Sequence, residues 1–269
     1  MHESKDTGRQ KEEPMKIDLN SDMGEGFGPY RLCDDEAMMK LVSSANIACG
    51  FHGGDPDTMG RMVRLAKLNG VGIGAHPGLP DRLGFGRREI AFSADELRQQ
   101  MLYQLGALMA IAKAEGVTLS HISFHAAMGN MVNRDPVLAD LMMDAIATVD
   151  AGLVVFVTSG SEIQQAARRA HLKTLALFLA DRAYDAEGRL VARGLAGAVI
   201  KDEASVRARV RKFLLEGTVE TIDGAVIAMP ARSILVHSDT PGALELAGIV
   251  RGEIEAAGAT IAPAAELAD

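Results

Sequence analysis

One unit recurs down this chain and limits what it can fold into: a short apolar run, a loop of glycines and polar residues, then an amphipathic stretch with a cap at its start. It is clearest at residues 44–56, Ser-Ala-Asn-Ile-Ala-Cys-Gly-Phe-His-Gly-Gly-Asp-Pro, where a strand dissolves into glycines and a helix opens at Pro56. Gly50, Gly53 and Gly54 let the backbone take positive φ and approach a ligand closely. The pattern predicts strands at 16–20, 45–49, 71–75, 121–125, 153–158, 173–179 and 233–236, with a last short one at 260–262. Helices are predicted from Asp34 or Asp35 to 43, then at 56–69, from Ser93 or Asp95 to 115, and at 135–150, 161–170, 202–216 and 243–257. Strands alternating with helices pair in parallel through right-handed crossovers. Seven or eight such units without a break in composition predict one closed α/β barrel over residues 15–269, with a doubly wound open sheet as the alternative.

A chain of 269 residues has the length of a single α/β barrel. The lack of Trp and an aromatic content of 4% argue against a stacking platform for nucleic acids, and a net charge of −8 disfavours nucleic acid and anionic membranes as partners. Cys33 and Cys49 make no CxxC and no disulfide framework, which suits reduced thiols in the cytoplasm. No apolar run approaches the ~20 residues that span a bilayer. Residues 1–14 are charged and lack the apolar segment of a secretory signal, so they are expected to form a disordered extension. A cytoplasmic protein is expected, and self-association into a homo-oligomer is left open.

Nearly every predicted strand ends in titratable or amide groups. The first brings Asp18, Asn20 and Asp22, the second His52 and Asp55, the third His76, Asp81 and Arg82, and the fourth His125 and Asn130. The sixth brings Asp181 and Arg182, and the seventh His237 and Asp239. In a parallel barrel all these ends share one face, so four of the seven histidines converge there. Individually, Asp55 also fits a helix cap, Asp239 a turn, and Arg182 a local pair with Asp181. Asp22, His52, His76 and His125 suit a divalent metal such as Zn²⁺ with an open position for water, although no HxxxH or HExxH pair fixes the ligands. Without a metal the same groups suit acid–base chemistry on an amide. No GxxxxGK[ST] or GxSxG is present, and Cys49 is read as a core thiol.

Five of these stretches together resemble the LamB/YcsF family. They are residues 18–28 (Asp-Leu-Asn-Ser-Asp-Met-Gly-Glu-Gly-Phe-Gly), 44–56, 74–88 (Gly-Ala-His-Pro-Gly-Leu-Pro-Asp-Arg-Leu-Gly-Phe-Gly-Arg-Arg), 180–191 and 236–242, in the family's order. The resemblance spans residues 15–263. It implies an irregular seven-stranded parallel (β/α) barrel of the glycoside hydrolase/deacetylase type. It also implies the A component of an ATP-dependent 5-oxoprolinase, which opens a cyclic amide to glutamate together with B and C subunits. On that reading Asp22, His52, His76 and His125 are the catalytic or metal-binding groups. Asp18, Asn20, Asp55, Arg82, Asn130, Asp181, Arg182, His237 and Asp239 shape the substrate site, with Arg82 or Arg182 holding a carboxylate. The chain departs from the family pattern where a lysine becomes Ser123, a proline Phe124, a tyrosine Gly129, a glutamate Leu177 and a glycine Ser238. These departures keep two other readings in view, a metal-dependent deacetylase-like hydrolase and a ligand-binding paralogue without catalysis.

Overall fold

The computed structural model describes residues 14–269, so the extension expected at 1–14 falls outside the described residues except for Pro14. Its strands are β1 (Lys16–Met23), β2 (Ser44–Ala48), β3 (Gly72–His76), β4 (His121–Ile122), β5 (Val154–Val157), β6 (Thr174–Leu179), β7 (Thr218–Glu220), β8 (Val226–Ala228), β9 (Ser233–Val236) and β10 (Thr260–Ile261). Parallel pairing runs β1–β2–β3–β4–β5–β6–β9 and returns from β9 to β1, with Asp18 opposite Ser233 and Ser21 opposite Val236. That last pairing closes a seven-stranded barrel and excludes the open sheet. β10 pairs with the start of β1 outside the circuit, and β7 with β8 forms an antiparallel hairpin.

The helices are α1 (Asp35–Met39), α2 (Pro56–Asn69), α3 (Ala94–Ala114), α4 (Ala126–Arg134), α5 (Pro136–Asp150), α6 (Glu162–Arg169), α7 (Glu203–Glu216) and α8 (Ala243–Ala256). Local chemistry sets their ends. Asp55 caps α2 ahead of Pro56, and Ser93 and Glu96 form a reciprocal capping box at α3. Four features differ from the sequence reading. β1 runs on through Asp22 to Met23, because pairing with Asn46 and Ile47 overrides the weak strand preference of Ser21 and Asp22. β4 is only two residues long, and α4 starts right after His125. Nothing in the sequence marked that helix, since its first turn has no side-chain cap and Gly129 sits within it. The β7–β8 hairpin between α7 and β9 was also unexpected.

The barrel interior is polar at its centre. Along β1, successive side chains point to opposite sides, and Asp18, Asn20 and Asp22 join one hydrogen-bonded ladder. The Asp18 carboxylate accepts from Ser43 Oγ (2.7 Å), Ser44 Oγ (2.6 Å) and Ser233 Oγ. Asn20 Nδ2 donates to Ser233 Oγ at 2.6 Å. Asn46 Nδ2 donates to both Asn20 Oδ1 and Asp22 Oδ1 at 2.9 Å, and His121 Nε2 donates to Asn46 Oδ1 at 2.9 Å. Burial holds His121 neutral, its pKa pushed down to about 3. Asp18 and Asn20, which the sequence reading gave to the substrate site, lie in this ladder and do not border the cavity described below. Both are fully buried, and at ~3.3 Å per residue Asp18 lies roughly 13 Å along the strand from Asp22.

Deleting the Asp18 carboxylate leaves three hydroxyls and an amide short of an acceptor. Asp18→Ala is expected to lower unfolding stability by about 3 kcal/mol and Asp18→Asn by less, because the amide keeps one acceptor. Urea-unfolding midpoints at constant slope check this, and equal stability of Asp18→Ala and wild type would contradict it.

Candidate active site

The C-terminal ends of the barrel strands open into a cavity of about 430 Å³. Against one wall stand three imidazoles and a carboxylate: Glu25 from the loop after β1, His52 from the loop after β2, His76 at the end of β3, and His125 at the start of α4. Two glycines permit the crowding. A Cβ on Gly53 would lie 2.6 Å from the Glu25 carbonyl oxygen, where the two loops cross. A Cβ on Gly86, whose φ is +63°, would lie 2.6 Å from His52 Cβ and 2.9 Å from the His125 ring.

Backbone carbonyls orient two of the rings. His76 Nδ1 lies 2.7 Å from Ser123 O, and His125 Nε2 lies 2.8 Å from Phe85 O. A carbonyl only accepts, so these nitrogens carry the hydrogens. His76 Nε2 and His125 Nδ1 then face each other 3.0 Å apart. Glu25 Oε1 lies 3.2 Å from His52 Nε2, 3.5 Å from His125 Nδ1 and 4.0 Å from His76 Nε2. His52 stacks on His125 with ring centroids 3.8 Å apart, and its Nδ1 is buried without a partner. Burial, reinforced by Asp22, pushes the Glu25 carboxyl well above its usual range. Burial also drives His52 well down, helped by His76, and His125 well down, helped by His52 and His76. Each of these three is thereby held toward its uncharged form.

Asp22, His76, His125, Asn130, His237 and Asp239 all border the cavity. Asp22 Oδ1 lies 3.5 Å from His76 Nε2, which ties the interior ladder to the histidines. His52 sits behind His125, fully buried, and does not border the cavity. Just past the end of β9, the strand beside β1, His237 Nδ1 lies 2.9 Å from the Asp181 carboxylate, which stands behind it. Asp239 pairs with Arg87 at 2.6 Å.

Three other candidates are committed elsewhere. Asp55 caps α2 through Thr58 N (2.7 Å) and holds Gly28 N (2.7 Å), away from the cavity. Arg82 donates to Gly50 O (2.9 Å) and Gly54 O (2.8 Å) while lying over the Phe27 ring, so it clamps the loop that carries His52. Arg182 borders the cavity but spends its guanidinium on Val191 O and Ala198 O, and burial lowers its pKa to about 10. Both guanidiniums thus bond main-chain carbonyls, and of the two only Arg182 borders the cavity.

Sequence reasoning missed Glu25, Arg87 and Arg193. Glu25 was visible in the glycine-rich loop beside Asp22, but its entry into the histidine cluster depends on the turn at Gly24 (φ +65°). Arg193 borders the cavity and, among the described residues, has no hydrogen-bonded or ion-paired partner; nothing in the run 185–197 singled it out. Four of the departures from the family pattern, Ser123, Phe124, Gly129 and Leu177, border this same cavity, and Ser238 does not. Cys49 is a core thiol as expected, with its pKa pushed up to about 12 by burial.

A closed parallel β/α barrel with a histidine–carboxylate cluster at its strand ends places this chain among the barrel proteins that keep their chemistry at the C-terminal face. More narrowly, the chain belongs to the LamB/YcsF family, whose sequence profile matches residues 17–269. It is 84% identical over 252 residues to a 5-oxoprolinase A-type subunit of Agrobacterium fabrum, the one numbered 2 in that organism, covering 94% of this chain and 99% of that one. It is 65% identical to the 5-oxoprolinase A-type subunit of Pectobacterium atrosepticum, covering 94% and 98%. The crystal structure of the lactam utilization protein from Thermus thermophilus superposes with a TM-score of 0.87 at 42% identity, over 92% of this chain and 99% of that one.

The Asp181–His237 pair titrates predictably. Burial opposes the imidazolium, but the Asp181 carboxylate outweighs it and raises the His237 pKa. Burial likewise opposes the Asp181 charge, and His237 outweighs it, so the Asp181 pKa is lowered. The stabilisation from His237 is complete below the ordinary histidine range and fades as pH rises through its raised value. That from Asp181 is present above the ordinary carboxylate range and fades as pH falls through its lowered value. Asp181→Asn is expected to lower the His237 midpoint in an NMR titration of the ring protons; an unmoved midpoint would refute the pairing.

Proposed function

We propose that this chain is the A component of a 5-oxoprolinase and opens the lactam of 5-oxoproline to L-glutamate at the expense of ATP, in a complex with B and C subunits. What carries the proposal is 84% identity, over nearly the full length of both chains, to a protein named as a 5-oxoprolinase component of this type. The cavity chemistry supports it. A five-membered lactam is a stable amide, and phosphorylation of its carbonyl oxygen would make the carbon a better electrophile. Water must then be delivered to that carbon and a proton to the ring nitrogen. Asp22, His76, His125 and the Asp181-supported His237 are the groups that would move those protons. Asn130 and Asp239 complete the polar lining.

The substrate carboxylate needs a cation, and Arg193 is the guanidinium bordering the cavity that makes no hydrogen bond or ion pair within the described chain. Burial lowers its pKa, the mark of a cation set against the cavity wall rather than in open solvent. We assign it the carboxylate-holding role that the sequence reading gave to Arg82 or Arg182. The chain carries no Walker P-loop, so ATP is assigned to the complex. No helix among the described residues is long and apolar enough to cross a membrane, and with two free cysteines we place the complex in the cytoplasm.

The purified chain mixed with its matched B and C subunits is expected to release glutamate from 5-oxoproline only when ATP is present. Glutamate at background level would overturn the proposal. In the same assay Arg193→Gln is expected to raise KM for 5-oxoproline by about 10- to 100-fold with a smaller change in kcat, the size of a lost charge-assisted hydrogen bond. An unchanged KM would remove Arg193 from the substrate site.

A further inference from the structure

We propose that Glu25, His52, His76 and His125 form a binding site for one divalent transition-metal ion of the Zn²⁺ class. Cation binding by this chain alone stands whether or not the lactam reading holds.

The decisive observation is a meeting of lone pairs. The hydrogens of His76 and His125 are committed to Ser123 O and Phe85 O, behind the rings. Their remaining nitrogens, His76 Nε2 and His125 Nδ1, approach to 3.0 Å with no hydrogen between them if both rings are neutral. Two acceptors at that distance repel unless a positive centre lies beside both. Glu25 Oε1 sits 3.5 Å from His125 Nδ1 and 4.0 Å from His76 Nε2. His52 turns its Nε2 to the same carboxylate, 3.2 Å from Glu25 Oε1.

The spacing also suits an ion. Ligand bonds of about 2.0–2.2 Å in a tetrahedron place donor atoms about 3.3–3.6 Å apart. The contacts measured between these donors run from 3.0 to 4.0 Å, and all four donor atoms lie within 4.8 Å of one another. Three imidazoles with one carboxylate favour a transition metal over Mg²⁺ or Ca²⁺, which prefer all-oxygen sites. Backbone carbonyls on the far nitrogens of His76 and His125 are the supports that metal-binding histidines commonly use. Glu25, His76 and His125 border the cavity, so an ion held by them would be reachable from it. Asp22, which the sequence reading placed among the ligands, lies outside the compact set of four.

The test uses the full-length chain, stripped with a chelator and titrated with Zn²⁺ and, separately, Co²⁺. About one equivalent is expected to bind, with the intense visible absorption of low-coordinate Co²⁺. Glu25→Gln and His125→Ala, checked for folding by circular dichroism, are each expected to weaken Zn²⁺ binding at least tenfold. His171→Ala, on the exposed turn after α6, is expected to leave it unchanged. No stoichiometric uptake of either ion by the wild-type chain would overturn the proposal. So would undiminished affinity in folded Glu25→Gln and His125→Ala, or a ring-nitrogen NMR spectrum of ion-treated protein in which His76 and His125 share a proton instead. The Co²⁺ spectrum of the wild-type chain decides the matter even where a variant fails to fold, and none of these readings depends on glutamate release.

Discussion

A carboxylate buried at the centre of the barrel organises this molecule. Among the described residues Asp18 has no cationic partner within hydrogen-bonding reach; its charge is met by the hydroxyls of Ser43, Ser44 and Ser233 and the amide of Asn20. Burial raises its pKa, and those hydrogen bonds work against that shift. The partners come from the segment before β2, from β2 itself and from β9, the strands on either side of β1. One carboxylate therefore specifies the pairings that close the circuit. A slip of one residue would turn Asp18, Asn20 and Asp22 outward among apolar helices, so the ladder also fixes register.

The same ladder delivers structure to the site. Asn46 bridges Asn20 to Asp22, and Asp22 stands beside His76. The histidines themselves are held from behind by main-chain carbonyls and from the side by glycines that leave room for the rings. Beside Asp22, at the end of β9, His237 is held by Asp181, and Arg87 is tied to Asp239, while Arg193 stays unpaired among the described residues. Burial thus favours uncharged groups in the histidine cluster, and pairing favours charged ones at Asp181 and His237. Ser123, Phe124, Gly129 and Leu177, which depart from the family pattern, border this cavity.

Arg82 shows how a site can depend on a residue that does not border its cavity. Its guanidinium holds the carbonyls of Gly50 and Gly54, the two ends of the loop that presents His52. Asp55 secures the next few residues by capping α2 and gripping Gly28. These two side chains position the loops after β1 and β2 against each other, and that contact brings Glu25 to His52.

By itself the sequence determined the βα alternation, and with it the parallel barrel and the face on which His76, His125, His237 and Asp22 would meet. Those properties follow from periodicity and from where strands end, which are written along the chain. It also held the signals for the caps at Asp55, Ser93 and Asp135. Tertiary structure decided which strand-end groups open to the cavity. Asp18 and Asn20 turned out to lie too deep along β1, while Arg82 and Arg182 found main-chain carbonyls supplied by distant loops. Glu25 entered the histidine cluster through a single left-handed glycine turn, and Arg193 reached the cavity through an irregular excursion without periodicity. A polar side chain is available for chemistry only if no nearer partner satisfies it. Those partners come from other parts of the chain, so only the folded structure could reveal them.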